Sequence, residues 1–568
     1  MRSIRLVAIV VALLCAPGTA LAQVNPPTAV GKGGAAATVD VLATQAAVDA
    51  LRRGGNAVDA AVAAAGVLGV VEPFSCGIGG GGFMVIRTRD GEVTTIDSRE
   101  ESPLAMRPDS FFENGAPLPF NDARFSGLSA GVPGTVRGWQ RALRRYGTWS
   151  LRRALRPGID VARRGFVVDE TFASQTAGVV DWFDDVPSTA ALYLDADGTP
   201  RDPGSVLRNP DLADTYARIA RRGATSFYRG RLAQDIVAAV ADPPVAPTAN
   251  HTWRPGLMTR EDLRSYEAVE RPPTHVAYRG LDVYGMGPPS SGGSTVGEAL
   301  NILEGFDLAG AGRTRALHLF LEASRFSFAD RNAYVADPEF FDVPLAGLLS
   351  DEFAAERRAL IDPTRAATSP VPPGDPGRET THLVVSDRKG TVVSYTFTIE
   401  STGGNGIVVP GRGFLLNNEL TDFNYDSLVH PNRADGGKRP RSSMSPTIVL
   451  ERGRPFLALG SPGGSMIITT VLQVLLERLD LGATLPEAIA RPRASQRNTP
   501  STVAEPNFIA SPEGAELASA YGHRFTTQAE IGAVTALEFL RGRRVLAAAE
   551  PVRRGGGSAM VERPAPGP

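Results

Sequence analysis

Residues 369–379 carry Pro370, Pro372, Pro373, Gly374, Pro376 and Gly377, and the chain then changes character at once into Thr380, Thr381, His382, Leu383, Val384, Val385, Ser386. Proline removes a backbone donor and glycine frees the backbone, so the first segment reads as an exposed irregular loop. The β-branched run reads as a strand, Asp387 to Gly390 as a turn, and Thr391 to Glu400 as the returning strand. An accessible loop feeding directly into a rigid strand that begins with threonine has the layout of a processing site followed by a nucleophile. A threonine hydroxyl is a poor nucleophile near neutral pH, whereas an N-terminal threonine carries its own general base, an α-amine of pKa about 7.7–8.0. One cut between Glu379 and Thr380 supplies both groups. Thr398, on the neighbouring strand, offers a second hydroxyl to hold the first by hydrogen bonding.

Acyl transfer also needs donors for a developing oxyanion. The turn Gly460, Ser461, Pro462, Gly463, Gly464 falls between a strand pattern and a helix pattern, so the N–H groups of Gly463 and Gly464 sit at a helix N-terminus. Read alone, the same turn asks only for glycines at positive φ. Elsewhere, Thr44 to Val70 has helical spacing broken at Arg52 to Asn56, which predicts two packed helices. Phe83 to Arg87 and Val93 to Asp97 predict a hairpin, and helical stretches run from Thr135 to Arg164, Pro210 to Ala241 and Val296 to Ala329. A second hairpin is expected over Pro446 to Leu459, followed by a helix from Ser465 to Leu479. Strands between helix layers predict an α+β sandwich, and no fixed period marks a repeat architecture.

The 568 residues, 42% apolar, bury a large core, and a formal net charge of -2 with interspersed signs excludes a nucleic-acid groove or polybasic anchor. Small molecules or peptides are the expected partners. Arg2 and Arg5, the apolar run Leu6 to Cys15, and Ala20, Leu21, Ala22 have the order of a secretory signal, predicting cleavage after Ala22 and export to periplasm or medium. No later stretch is long and apolar enough to span a membrane. Cys15 leaves with the signal, so Cys76 remains alone in an apolar setting, as a buried structural thiol without an intramolecular disulfide.

Three rival patterns fail on context. Gly77, Gly79 and Gly82 satisfy G-x-G-x-x-G, but a dinucleotide site needs strand before and helix after, and here the order is reversed. Gly127 to Gly131 satisfies G-x-S-x-G without a preceding buried strand, and Pro133 follows too soon for a helix. Glu100 and Glu101 are adjacent and face opposite ways, which does not suit a glycosidase pair. The six histidines are scattered without metal-ligand spacing, and His382 is placed to face the core beneath the nucleophile.

Thr380 to His382, Asn417 to Phe423, Arg441 to Pro446 and Gly460 to Ser465 together resemble the small subunit of the gamma-glutamyltranspeptidases in its usual order. Upstream, Arg52 to Asp59, Glu72 to Phe83, Arg99 and Glu100, Gly131 to Gly134, Pro288 to Gly293 and Asp330 to Pro338 resemble the large subunit. The resemblance implies a four-layer α/β/β/α sandwich of the N-terminal nucleophile hydrolase type. It also implies autocatalytic cleavage between Glu379 and Thr380, giving a large subunit 23–379 and a small subunit 380–568 in one structural unit. By motif, Thr380 is the nucleophile, Thr398 its hydroxyl partner, and Gly463 with Gly464 the oxyanion hole. Arg99 takes the donor's α-carboxylate with help from Ser442 and Ser443, and Glu400, Glu419 and Asp422 take the α-ammonium. No metal, nucleotide or organic cofactor is needed, because the chain supplies nucleophile, base and oxyanion donors.

Two departures stand out. Many family members have asparagine at Glu400 and glutamine at Glu419, so this pocket is more acidic. The stretch from Asp422 to Ser442 leaves no room for a lid loop, which favours hydrolysis over transfer. A side-chain acylase of β-lactam precursors is the alternative on the same scaffold. An uncleaved periplasmic binding or scaffold protein is the alternative outside enzymes.

Overall fold

The computed structural model describes residues 27–367 and 381–565. The predicted signal segment 1–22, Glu379 and Thr380 lie outside the described residues. Thirteen strands of the described residues form one antiparallel sheet. In chain order they are β1 (Thr28–Thr38), β2 (Gly81–Arg87), β3 (Val93–Asp97), β4 (Val269–Arg271), β5 (Thr274–Tyr278), β6 (Leu281–Gly285), β7 (Thr381–Ser386), β8 (Val392–Thr398), β9 (Thr447–Glu451), β10 (Arg454–Gly460), β11 (Thr535–Leu540), β12 (Arg544–Ala549) and β13 (Ser558–Pro564). Their spatial order is β4-β3-β2-β8-β7-β1-β12-β11-β10-β9-β6-β5, with β13 also paired to β1.

The sheet curls over on itself, so that β7 and β8 lie against β11 and β10. Ser394 of β8 bridges the two layers, donating to the Leu459 carbonyl at 3.1 Å and accepting from the Thr447 amide at 3.1 Å. Helices α1 (Val41–Arg52) and α2 (Ala57–Val71) cover one outer face; α3 (Gly292–Glu304), α4 (Arg313–Tyr334) and α5 (Met466–Leu479) belong to the other. The result is the expected four-layer α/β/β/α sandwich, with the two sheets continuous through β1.

The sequence accounts for the central elements directly. Successive strand side chains point to opposite faces, so Leu383 and Val385 of β7 join the core under α2 while Val384 joins the core between the sheets and α3 to α5. Every residue of α2 is buried, which is why its alanines and valines run all round the helix. Asn56 and Asp59 form a capping box at its start, and Asp59 also accepts from the Thr148 amide and hydroxyl and the Trp149 amide. The β7–β8 turn is held by Asp387, whose Oδ1 accepts from the Lys389 and Thr391 amides. Its Oδ2 accepts from the Ala57 amide at 3.1 Å, so a carboxylate ties the hairpin to the positive end of α2.

Candidate active site

Strand β7 begins at Thr381, immediately after the predicted cut. Thr381 pairs with Phe397, is buried, and its hydroxyl has no partner among the described residues. One position beyond Phe397, Thr398 ends β8 as a buried residue whose Oγ1 accepts from the Glu400 amide at 2.8 Å. The run Gly77 to Gly82 bridges α2 and β2, so the order is helix, glycines, strand. Its use is close approach: a Cβ at Gly80 would lie 1.8 Å from the Thr398 carbonyl oxygen.

Gly463 and Gly464 occupy the turn from β10 to α5 at φ +131° and +57°, where a side chain would be strained. Their carbonyls accept from the Met466 and Ile467 amides, while neither glycine N–H has an acceptor among the described residues. Two unspent N–H groups at a helix N-terminus make an anion site. His382 points beneath this turn. A Cβ at Gly460 would meet its ring at 2.4 Å, and Nδ1 lies 2.9 Å from Thr396 Oγ1. Burial pushes its pKa down to about 3, so it is neutral and packs as a core residue.

A compact charged cluster adjoins these groups. Arg99, just past β3, is buried and fixed by chain segments more than 300 residues away: Nε donates to the Pro440 carbonyl at 3.1 Å and Nη2 to the Arg441 carbonyl at 3.0 Å. Nη2 also donates to Asp422 at 2.5 Å, and Nη1 to Glu419. Burial opposes its charge, but Glu419 and Asp422 more than offset this and hold it firmly protonated. Two of the carboxylates expected at the ammonium end of the donor are therefore paired with the arginine expected at the carboxylate end, leaving Arg99 one N–H of Nη1. Asp422 is the open member, 15% exposed against 1% for Glu419.

Glu100 was set aside in the sequence as half of an adjacent pair, yet it completes this cluster. Glu101 turns away to Arg439 at 2.6 Å, while Glu100 sits fully buried beside Arg99 and Glu419. Glycine makes the room: a Cβ at Gly81 would lie 2.5 Å from Glu100 Oε2. Burial pushes the Glu100 carboxyl up to about 8 and Glu419 well above the ordinary range. Below pH 4.5 the carboxyl is protonated in folded and unfolded chains alike; between about 4.5 and 8 only the unfolded chain ionises freely, so stability falls as pH rises. Glu100→Gln is expected to melt like the wild type near pH 4.5 and about 2–3 °C higher near pH 8, read by thermal unfolding across that range. An offset independent of pH would refute the assignment.

Asn417 and Asn418, quoted in the sequence only as part of a motif, are the scaffold of this corner. Asn417 bonds the Gly79 carbonyl and both backbone groups of Gly131, and accepts from the Glu419 amide. Asn418 donates to Glu400 at 2.5 Å and to Thr421 at 2.9 Å. Glu400 has the left-handed φ of 78° and also accepts from the Ser401 hydroxyl, a strained backbone held by its surroundings. Ser442 is buried and Ser443 half-buried, and both lie on the segment that carries the Arg99 carbonyl acceptors. The stretch between Asp422 and Ser442 is pinned down, with Asn432 donating to the Asp422 carbonyl and Lys438 to the Pro431 and Arg433 carbonyls.

A cavity of about 620 Å³ opens elsewhere, between α1, α2 and residues 149–164. It contains none of these groups and no nucleophile or oxyanion donor, so volume alone does not mark the site. Cys76 is buried, and burial raises its thiol pKa further, which suits a packing role. Among the described residues no helix is long and apolar enough to cross a membrane.

The fold and this arrangement together define an N-terminal nucleophile hydrolase scaffold. The sequence profile described as gamma-glutamyltranspeptidase matches residues 43–560. A glutathione hydrolase proenzyme of Escherichia coli (strain K12) is 38% identical over 525 residues, covering 89% of this chain and 88% of that protein. A protein of the same description from Bacillus subtilis (strain 168) is 39% identical over 493 residues, 82% of this chain and 81% of its own. The crystal structure of cephalosporin acylase from Bacillus halodurans superposes with a TM-score of 0.84 at 28% identity, covering 96% of this chain and 99% of the acylase. The chain belongs to the gamma-glutamyltranspeptidase family.

Proposed function

We propose that the protein is an exported gamma-glutamyl hydrolase and transpeptidase, cut between Glu379 and Thr380 into subunits 23–379 and 380–568, with Thr380 as nucleophile. The observation that supports this reading is that Thr398 ends the strand paired with β7 and pairs with Gly81, which packs on Glu100 of the Arg99 cluster, while Gly460, at the start of the Gly463–Gly464 turn, packs on His382 of β7. In the first step the Thr380 hydroxyl gives its proton to its own α-amine while Oγ attacks the γ-carbonyl carbon. The oxyanion rests on Gly463 and Gly464. Collapse breaks the C–N bond, and the departing amine takes the proton from the α-ammonium. Water, or the amine of an amino acid or peptide acceptor, then attacks the ester and returns Thr380.

Charge sets the recognition. Three carboxyls, on Glu100, Glu419 and Asp422, surround Arg99, and burial forces part of this excess to stay protonated. A donor α-ammonium beside Glu400, Glu419 and Asp422 restores the balance, while Arg99, Ser442 and Ser443 take the α-carboxylate. Glutathione presents this head group, and the names of the Escherichia coli and Bacillus subtilis relatives agree with it. The pinned, short segment after Asp422 leaves the acyl-enzyme open to water, so hydrolysis outweighs transfer. The likeness to the cephalosporin acylase favours, as the second reading, a β-lactam side-chain acylase on the same scaffold. Glutathione and its N-acetyl derivative separate the two. We expect kcat/KM to fall at least about 100-fold on acetylation, because the ammonium loses its charge-assisted bonds; equal rates would favour the acylase.

A further inference from the structure

Arg331, near the end of α4, is buried, and no ion pair with a carboxylate forms at it among the described residues. Several other deeply buried arginines are balanced: Arg439 pairs with Asp97 and Glu101, Arg493 and Arg553 with Glu550, Arg99 with Glu419 and Asp422, whereas the adjacent Arg441 likewise bonds only neutral oxygens. Arg331 instead spends its donors on neutral oxygens, Nε on Ser291 Oγ at 2.9 Å, Nη1 on Asn332 Oδ1 at 2.9 Å and Nη2 on Ser443 Oγ at 2.7 Å. Burial, then the neighbouring Arg441 and Arg497, lower its pKa well below the usual arginine range, with only Asp422 opposing them. A buried, unbalanced cation is costly unless an anion joins it.

The direction of its bond to Ser443 is informative. A hydroxyl has one proton and two acceptor lone pairs. Because Ser443 Oγ accepts from Arg331, its proton remains to be donated, and it has no acceptor among the described residues. Ser442 Oγ likewise accepts, from the Met444 amide at 3.2 Å. Two neighbouring hydroxyls thus each keep a proton to donate, with the Arg331 guanidinium bonded to Ser443, while Arg99 has one N–H to spare.

We propose that Arg331 is a positioning residue for the donor's α-carboxylate, orienting the Ser443 hydroxyl as a donor and supplying the positive potential behind Ser442 and Ser443. This deepens the gamma-glutamyl reading above and rests on it. A purely structural role, tying α4 to Ser291 and Ser443, is the competing account. The two differ in which substrates they affect.

The test compares γ-glutamyl-p-nitroanilide with 4-aminobutanoyl-p-nitroanilide, the same donor without its α-carboxylate, in the processed wild type, Arg331→Gln, Arg331→Lys and Ser443→Ala. For Arg331→Gln we expect kcat/KM on the carboxylate-bearing donor to fall about 10- to 100-fold, mostly through KM, with less than about threefold change on the other. Arg331→Lys keeps the charge without the three-way geometry and should fall between. Adding Arg331→Gln to Ser443→Ala should give less than the product of the two effects. Equal losses on both donors, full additivity, or failure of both Arg331 variants to yield processed protein would establish a structural role and overturn the proposal. A wild type that cleaves both donors equally, or neither, would instead sink the gamma-glutamyl reading itself.

Discussion

Thr380→Ala is expected to leave the chain in one piece and without activity on any gamma-glutamyl donor. Intact mass and N-terminal sequencing of the wild type should give two chains, the smaller beginning Thr380, Thr381, His382; the variant should give one. The two losses share a cause. The hydroxyl that attacks the donor and the amine that takes its proton belong to one residue, and the amine does not exist until the bond to Glu379 is cut. Removing a group that acts as part of such a unit lowers kcat by about 10⁴- to 10⁶-fold. Some rate above water would persist if the chain were cut by other means, because Gly463 and Gly464 still present their N–H groups. Thr380→Ser keeps hydroxyl and amine and should still be processed. A wild type that stays in one chain while folded, or an active Thr380→Ala, would remove the base from the mechanism and the enzyme with it.

What could be read from the chain follows its physics. The β7–β8 hairpin, α1 and α2 were legible because β-branched residues fill the hairpin, alanines and valines fill the helices, and their turns and caps are spelled out by Asp387, Gly390, Asn56 and Asp59. Strand β1 was not. Its sequence, Thr28 to Thr38, is dominated by glycine and alanine, which read poorly as strand. Tertiary crowding explains them, since β1 pairs with β7, β12 and β13, and a Cβ at Gly31 would lie 2.1 Å from the Arg563 carbonyl oxygen. The charged pocket residues were named by resemblance, because local pattern cannot bring Arg99 to Glu419 and Asp422 across 320 residues and more. Glu100 escaped because it was weighed against its chain neighbour Glu101 rather than against Glu419. His318 and His523, scattered in sequence, meet at 2.9 Å in the fold for the same reason.

Arg99→Met should show whether that arginine holds the protein together, the donor, or both. Removing it strands Glu419 and Asp422, and breaking one side of a buried ion pair costs about 3–5 kcal/mol. Chemical unfolding should register that loss, and processing should slow with it. The single variant is ambiguous about function, because a destabilised pocket binds poorly for any reason. Arg99→Met combined with Glu419→Gln separates the roles. Neutralising the most deeply buried carboxylate should return most of the stability, as replacing a whole buried pair often does. It cannot return the N–H that Arg99 keeps for a ligand or the positive charge above Ser442 and Ser443. The double variant should therefore be folded and processed, yet lose about 100-fold in kcat/KM on γ-glutamyl-p-nitroanilide, with KM carrying most of it. Arg99→Lys should not substitute, since one ammonium cannot reach Pro440, Arg441, Glu419 and Asp422 at once. If the double variant recovers activity along with stability, Arg99 is a keystone of the fold only, and the α-carboxylate falls to Ser442, Ser443 and the guanidinium of Arg331 behind them.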